Sequence, residues 1–488
     1  MSYLLTDAYV VTVDKERRVI ENGAVLIEKD RIAAVGETDQ LLARFPDAER
    51  LSFSHKMIVP GLIDVHAHAG HSLFTMFGSA TDSNWMNILT EIYHHQTTER
   101  FWLIEGRKAA MERLMNGVTC GLSVLTNCQR SDTPAIGVNQ AQGYAEVGIR
   151  GIIAVGPSNP PFPRHYTIIE EDGSRRKVVR TFDQQMEVTE DTIAKVNGSH
   201  NGLISGFVAP FVQLSSLISS GPTPVDLAVR PDEQDQYLAN AVRQVAKNQK
   251  TRIHTESFGG MIRLSAMLKN PLLGPDVHLQ HCIGISLEEA KIISETGTHV
   301  SSTPYASAFW RRCPVPELMV MGANVVTATD GTAPSSTFDL IKTSQNMQLV
   351  HQGFLRDGNY LPAGKLLEMI TLDAAKAIGR AEDLGSIEVG KKADLIAVDL
   401  NRPHLVPRLM SLRKWLLTGS GADVNDVFVD GQWVLKDREP VRVSSAKVLA
   451  DGHAEAVATI KRAKMDEHLL PTDRFWGAVH ATLETPRS

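Results

Sequence analysis

The sequence predicts an α/β protein, a (β/α)8 TIM barrel carrying a small β-sandwich-like domain that the N- and C-terminal segments build together. Three observations predict it. Both chain ends read as short strands and turns, the stretch between them alternates apolar strands with helical runs, and about eight such repeats occur there. Strand–helix alternation implies βα units around a parallel sheet, and eight of them close into a barrel. By length alone 488 residues would suggest about three domains, but barrels of this kind run long as single units.

Taken in order, "AYVVTVD", "GAVLIEKD" and "RIAAVGE" are alternating or β-branched runs parted by charged turns, and "DQLLARF" makes a short helix. The barrel texture starts near residue 60. "GVTCGLSV" follows the helical "RFWLIEGRKAAMERLMN", and "GIRGIIAVG" precedes a long excursion. "GLISGFVAPFV" follows "TEDTIAKVNG", "TRIHTES" follows "EQDQYLANAVRQVAKNQ", and "VHLQHC" follows "MIRLSAMLKN". "THVSST" follows "LEEAKIISETG", and "NVVTATDG" follows "PVPELMVMG". "ADLIAVDL" and "VNDVFVDGQWVLKD" then return to strands, the second around the turn signal Asp430-Gly431. The expected division is residues 1–59 and 380–445 for the two parts of the small domain, 60–379 for the barrel, and 446–488 for a helical extension. In the excursion, "HYTIIEEDGSRRKVV" (165–179) reads as a hairpin after barrel strand three, on the catalytic face. A lid, a subunit contact and a solvated hairpin are all open for it.

Composition narrows the partners. A net charge of −6 without basic tracts argues against nucleic acid and against anionic membrane. No apolar run nears the roughly 18 residues that span a bilayer. The opening "MSYLLTDAYVVTV" lacks a basic leader region and alternates like a strand, so it does not read as a signal peptide. Cys120, Cys128, Cys282 and Cys313 form no CxxC pair, so reduced thiols in a cytoplasmic protein are expected.

"PGLIDVHAHAG" (60–70) places two histidines one residue apart behind an apolar run. Side chains at i and i+2 of a strand share a face, so His66 and His68 project together. Alone, the pair fits either a transition metal or a polar strand end. Further candidates fall at the ends of other barrel strands: His254 on strand five, His281 on strand six and Asp330 on strand eight. Catalytic residues of a barrel belong at those ends. Five metal-competent side chains at equivalent places in four βα units favour metal.

These segments resemble the amidohydrolase superfamily, in its branch of cytosine, guanine and adenosyl-type deaminases and triazine hydrolases. "VPGLIDVHAHAGHSLF", "ERLMNGVTCG", "VHLQHC", "VVTATDG", "TLDAAKAIG", "LGSIEVGKKADLIAVD" and "VFVDGQWV" carry the likeness along nearly the whole chain. The resemblance implies that His66, His68, His254 and Asp330 bind one divalent ion per chain, zinc first and iron second. It implies that His281 meets the attacking water or the substrate. Members with two ions bridge them by a lysine or glutamate at the end of strand four, and "GLISGFVAPFVQLSS" holds neither. In this branch a glutamate lies three residues after the strand-five histidine, but "HTES" has Glu256 at two. Two residues on keeps Glu256 on the histidine's own face, within reach as the proton shuttle. Asp330 would also accept a proton, and His71 and Gln213 near the mouth are candidate substrate contacts. Cys282 should point away from the site and pack in the core.

The implied activity is hydrolytic attack on an sp² carbon of a purine-, pterin- or triazine-like ring, with ammonia leaving. Alternatives are another leaving group (amine, chloride or sulfide) and cyclic amide hydrolysis; retention of the whole ligand set weighs against a non-catalytic binding barrel. A homodimer or larger homo-oligomer is the family's habit.

Overall fold

The computed structural model describes residues 2–77, 85–170, 172–214, 216, 228–309, 311–333 and 336–469. The two chain ends meet in one nine-stranded sheet. Its organising strand, Ser2–Val11, pairs antiparallel with Val19–Glu28 and parallel with Glu49–Ser52 and Lys56–Pro60. Lys56–Pro60 then pairs antiparallel with Leu395–Asp399, which leads through Val424–Val429 to Gln432–Lys436 and Glu439–Pro440. Met57, Ile58 and Val59 face Ala397, Val398 and their neighbours, and all are buried. A continuous apolar run suits a strand covered on both faces. The sheet curls until Phe53 stacks on Trp433 from the other chain end, ring centroids 6.0 Å apart. Asp430 (φ 49°) and Gly431 (φ 70°) make the expected two-residue turn. A side chain at Gly431 would also meet the Lys29 carbonyl at 2.3 Å.

Only Gly61 separates this sheet from the barrel. Eight parallel strands follow one another around it: Leu62–Asp64, Val118–Val124, Arg150–Val155, Ile204–Val208, Ile253–Phe258, Val277–Ile283, His299–Ser302 and Val325–Thr327. The first and eighth join just beyond their ends, where the Asp330 N–H donates to the His66 carbonyl at 2.9 Å. Ile63, Val65, Leu122, Ile152, Phe207 and Val326 form one apolar cluster within the barrel. Helices cover its outside, among them Glu99–Met115, Ala135–Val147, Phe182–Val196 and Glu233–Asn248. Thr181, Asp232 and Ser286 each close a capping box at the start of a helix, satisfying orphan N–H groups where the chain turns from strand to helix.

The predicted hairpin forms from Arg164–Ile169 and Arg175–Arg180. Its inner arm is tied down. Tyr166 is buried against His94 (centroids 4.7 Å), and Arg130 donates to the Thr167 carbonyl. The C-terminal helix Ser445–Ala463 packs on Glu99–Met115, while residues 470–488 of the expected extension lie outside the described residues. Among the described residues no helix is long and apolar enough to cross a membrane.

Candidate active site

The side chains singled out above gather at the C-terminal mouth of the barrel. Regular strand one ends at Asp64, yet the chain stays extended. Val124 N–H donates to the Ala67 carbonyl and Ala69 N–H to the Val124 carbonyl, stitching the histidine pair to strand two. Strict alternation would put Asp64 and His66 on one face. Instead Asp64 is held by Arg113 of helix Glu99–Met115, while His66 reaches Asp330 and His254. His66 thus leaves the face of Asp64 and points to the mouth.

Strand six departs from alternation too. His281 (φ 72°) and Cys282 (φ 48°) both adopt the left-handed backbone, and Ser257 and Phe258 of strand five pair with His281 and Ile283. Cys282 is the extra residue of a β-bulge. Bulges re-aim side chains next to active sites. Gln280 and His278 already face the neighbouring strands' side chains, so unbroken alternation would send His281 the other way. Cys282 itself is fully buried in the core, as its packing role requires. Asp330 is left-handed too (φ 67°), and the Gly331 N–H holds its carboxylate at 2.6 Å. Backbone strain of this kind clusters where function needs it. Gly331 has no room for a side chain: a Cβ there would lie 2.3 Å from His71 Nδ1.

Asp330 Oδ1 lies 3.3 Å from His66 Nε2 and 3.3 Å from His68 Nε2. That is the edge of a tetrahedron whose bonds are about 2.0–2.1 Å, the length of zinc bonds to nitrogen and oxygen. His66 Nε2 and Glu256 Oε1 are buried with no hydrogen-bond partner. Ligand atoms of His66, His281 and Asp330, and of His66, His68 and Glu256, lie within 4.8 Å of one another, a spacing that fits a cation. His254 approaches from the far side, its Nε2 2.8 Å from His66 Nδ1, so here it joins the set through His66. Glu256 Oε1 is 3.5 Å from His68 Nε2, and its Oε2 is 3.7 Å from His281 Nε2. Its backbone is bonded to Phe211 and Gln213 beyond strand four, which fixes the carboxyl despite the shortened spacing. Phe258 stacks on the His281 ring at 5.7 Å.

Burial sets the protonation states. It pushes His66 down to about 3 against the pull of Asp330, and it holds His254 well below its ordinary value, helped by His278 and His66. Burial would raise Asp330, but the His66 and His68 imidazoles beside it, with His281, outweigh that and hold the group well below the carboxylate range. Glu256 goes the other way: burial, with Asp330 adding to it, pushes its carboxyl well above the usual value. The pocket thus disfavours charge on His66, His254 and Glu256 and favours it on Asp330. Two carboxyls whose surroundings drive them apart are the mark of divided acid–base roles.

The two expected substrate contacts, Gln213 and His71, are both enclosed. Gln213 is fully enclosed; its Nε2 donates to the Leu272 carbonyl and its Oε1 accepts from the Ser257 hydroxyl, each at 2.8 Å. Its amide braces strand five. His71 is also enclosed, its ring 5.1 Å from that of His68 and its Nε2 3.6 Å from Cys128 Sγ.

One supporting pair escaped the sequence reading. Fully buried Arg113 donates to Asp64 from Nε (3.1 Å) and Nη2 (3.0 Å), and Thr329, next to Asp330, donates to the same carboxylate from its N–H and hydroxyl. The pair thereby ties the segments bearing His66 and Asp330. An aspartate inside an apolar strand was the available signal. Removing one partner of a buried pair strands the other charge, so Arg113→Met should destabilise the fold by about 3–5 kcal/mol. Denaturant unfolding checks it; a midpoint unchanged from wild type would deny the pair that role.

The amidohydrolase family profile matches residues 57–434, and an imidazolonepropionase-like composite domain of bacteria matches residues 23–48. The chain is 27% identical over 452 residues to a 5-methylthioadenosine/S-adenosylhomocysteine deaminase of Syntrophobacter fumaroxidans, covering 91% of this chain and 95% of that one. It is 28% identical over 450 residues to a 5'-deoxyadenosine deaminase of Methanopyrus kandleri, covering 88% and 94%. Among solved structures, it superposes on an adenosine deaminase from Xanthomonas campestris with bound zinc (TM-score 0.76, 22% identity, 94% of this chain and 98% of that one). It also superposes on a zinc complex of an atrazine chlorohydrolase from Arthrobacter aurescens (TM-score 0.70, 19% identity, 93% and 100%). With the match running from the last strand before the barrel to the far side of the shared sheet, the chain belongs to the amidohydrolase family.

Proposed function

We propose that this protein is a metal-dependent aminohydrolase that replaces the amine on a nitrogen heterocycle with oxygen from water. The adenine ring of a nucleoside is the substrate favoured by the names of its relatives. The observation that carries the reading is the buried Glu256 carboxyl, set beside His68 and His281 at the edge of a donor set with tetrahedral spacing.

In this reading His66, His68 and Asp330 hold one divalent ion, zinc before iron, and His254 supports them through His66. Such an ion, when bound, acidifies water and stabilises negative charge on oxygen. Glu256 gives its proton to the ring nitrogen as water oxygen bonds to the amine-bearing carbon. It then takes a proton from the attacking water and passes it to the amine. The carbon–nitrogen bond breaks, ammonia leaves, and the ring keeps the oxygen as a carbonyl. His281 faces both carboxyls and orients the attacking water, and Asp330 is the second proton acceptor.

Zinc-loaded protein, given adenine nucleosides, pterins and triazines in isotopically labelled water, should release ammonia in step with product carrying one solvent oxygen. Product without that label, or a requirement for an organic redox cofactor, rules the reaction out. Chloride or alkylamine release in place of ammonia would keep the site chemistry and change the substrate.

A further inference from the structure

We propose that His278 is a positioning residue for the metal ligands, the terminal acceptor of a chain of three imidazoles. The inference rests on the metal reading above and deepens it by assigning a tautomer to each ring. His254 and His278 stand opposite each other in register on strands five and six, and both are buried. Their Nδ1 atoms are 2.9 Å apart, and the other nitrogen of His254 is 2.8 Å from His66 Nδ1. Between neutral imidazoles each such contact holds one proton, so one nitrogen donates and the other accepts.

The chain has two polarities. In one, His66 Nδ1–H donates to His254 Nε2, His254 Nδ1–H donates to His278 Nδ1, and His66 Nε2 keeps a bare lone pair facing Asp330. In the reverse, His278 drives protons toward the cluster. His254 Nε2 and His66 Nε2 then both carry hydrogen, and neither offers a lone pair to an ion. Only the first polarity leaves His66 Nε2 free for an ion, with His254 supporting it through His66. That polarity requires an acceptor at the far end, and His278 Nδ1 supplies it. The other nitrogen of His278 must then carry hydrogen, and it is buried without a partner. A leucine would avoid that cost. A ring kept there in spite of it serves its Nδ1 side, as the groups behind metal-bound histidines do when they fix tautomer and orientation.

Three variants test this by zinc affinity in chelator competition and by melting of the zinc-free protein. His278→Leu fills the space without an acceptor, and His278→Met repeats that arm with a more pliant side chain. His278→Asn places an amide oxygen where Nδ1 stands. The apolar variants should bind zinc about 10–100-fold more weakly, with His278→Asn within about threefold of wild type. Their zinc-free melting temperatures should equal or exceed that of wild type. Wild-type zinc affinity in the apolar variants, or equal losses in all three, would overturn the assignment. Failure of the wild type itself to hold zinc would bring down the proposed function with it, a result distinct from either.

Discussion

Glu256→Gln is expected to lower turnover at least about a hundredfold while metal content stays near one ion per chain. The substitution keeps shape and removes the proton. General acid–base transfer by a placed side chain is typically worth about 10²–10⁴-fold, and a bound cation does not protonate a ring nitrogen. Among the described residues only Asp330 offers another carboxyl beside His281. Asp330 is held ionised by His66 and His68, so it has no proton to give at neutral pH. The retained metal is the control, because the variant leaves His66, His68 and Asp330 in place to hold it. Near-normal turnover with intact metal would show that the proton travels another way. Loss of metal along with turnover would make Glu256 a ligand instead.

Ending the chain after Gly379 is expected to abolish soluble, folded protein. The deletion removes Leu395–Asp399 and so strips Lys56–Pro60 of its antiparallel partner along its whole length. An apolar strand with an open edge pairs with whatever it meets. It also takes away Asp394 and Asp430, which together hold buried Arg150 at the start of barrel strand three. An uncompensated buried cation costs about 3–5 kcal/mol, against a total stability of about 5–15 kcal/mol for a typical protein. Lost edge and lost counter-charge act together. A soluble, metal-retaining 1–379 fragment would mean that the barrel stands without the shared sheet.

Much of this architecture was legible because it is periodic. Alternation marks the strands, and the strand ends mark His66, His68, His254, His281 and Asp330, since a barrel gathers such ends at one mouth. What alternation cannot show is where it breaks. Nothing in "VHLQHC" announces a bulge, yet without it His281 would turn from Glu256 toward the helices. The Asp64–Arg113 pair joins residues 49 positions apart, and His254–His278 joins neighbours across two strands; both depend on tertiary register. The partners of Gln213 were hidden for a related reason. Its position at a strand end suggested the mouth, but its amide is engaged within the protein. Glu256 stayed within reach because period two keeps it on the face of His254.

The bond from Asp330 N–H to the His66 carbonyl joins the first and last strands of the barrel, and the residues it links are also the two whose side chains lie 3.3 Å apart at the donor set. A ring of strands is weakest at the seam where its two ends meet. In this chain a cation held by those side chains would be a rivet through that seam. Its removal would loosen the joint between the beginning and the end of the barrel before any other, so that hydrogen exchange at Asp330 and its neighbours reads out occupancy without any substrate being turned over.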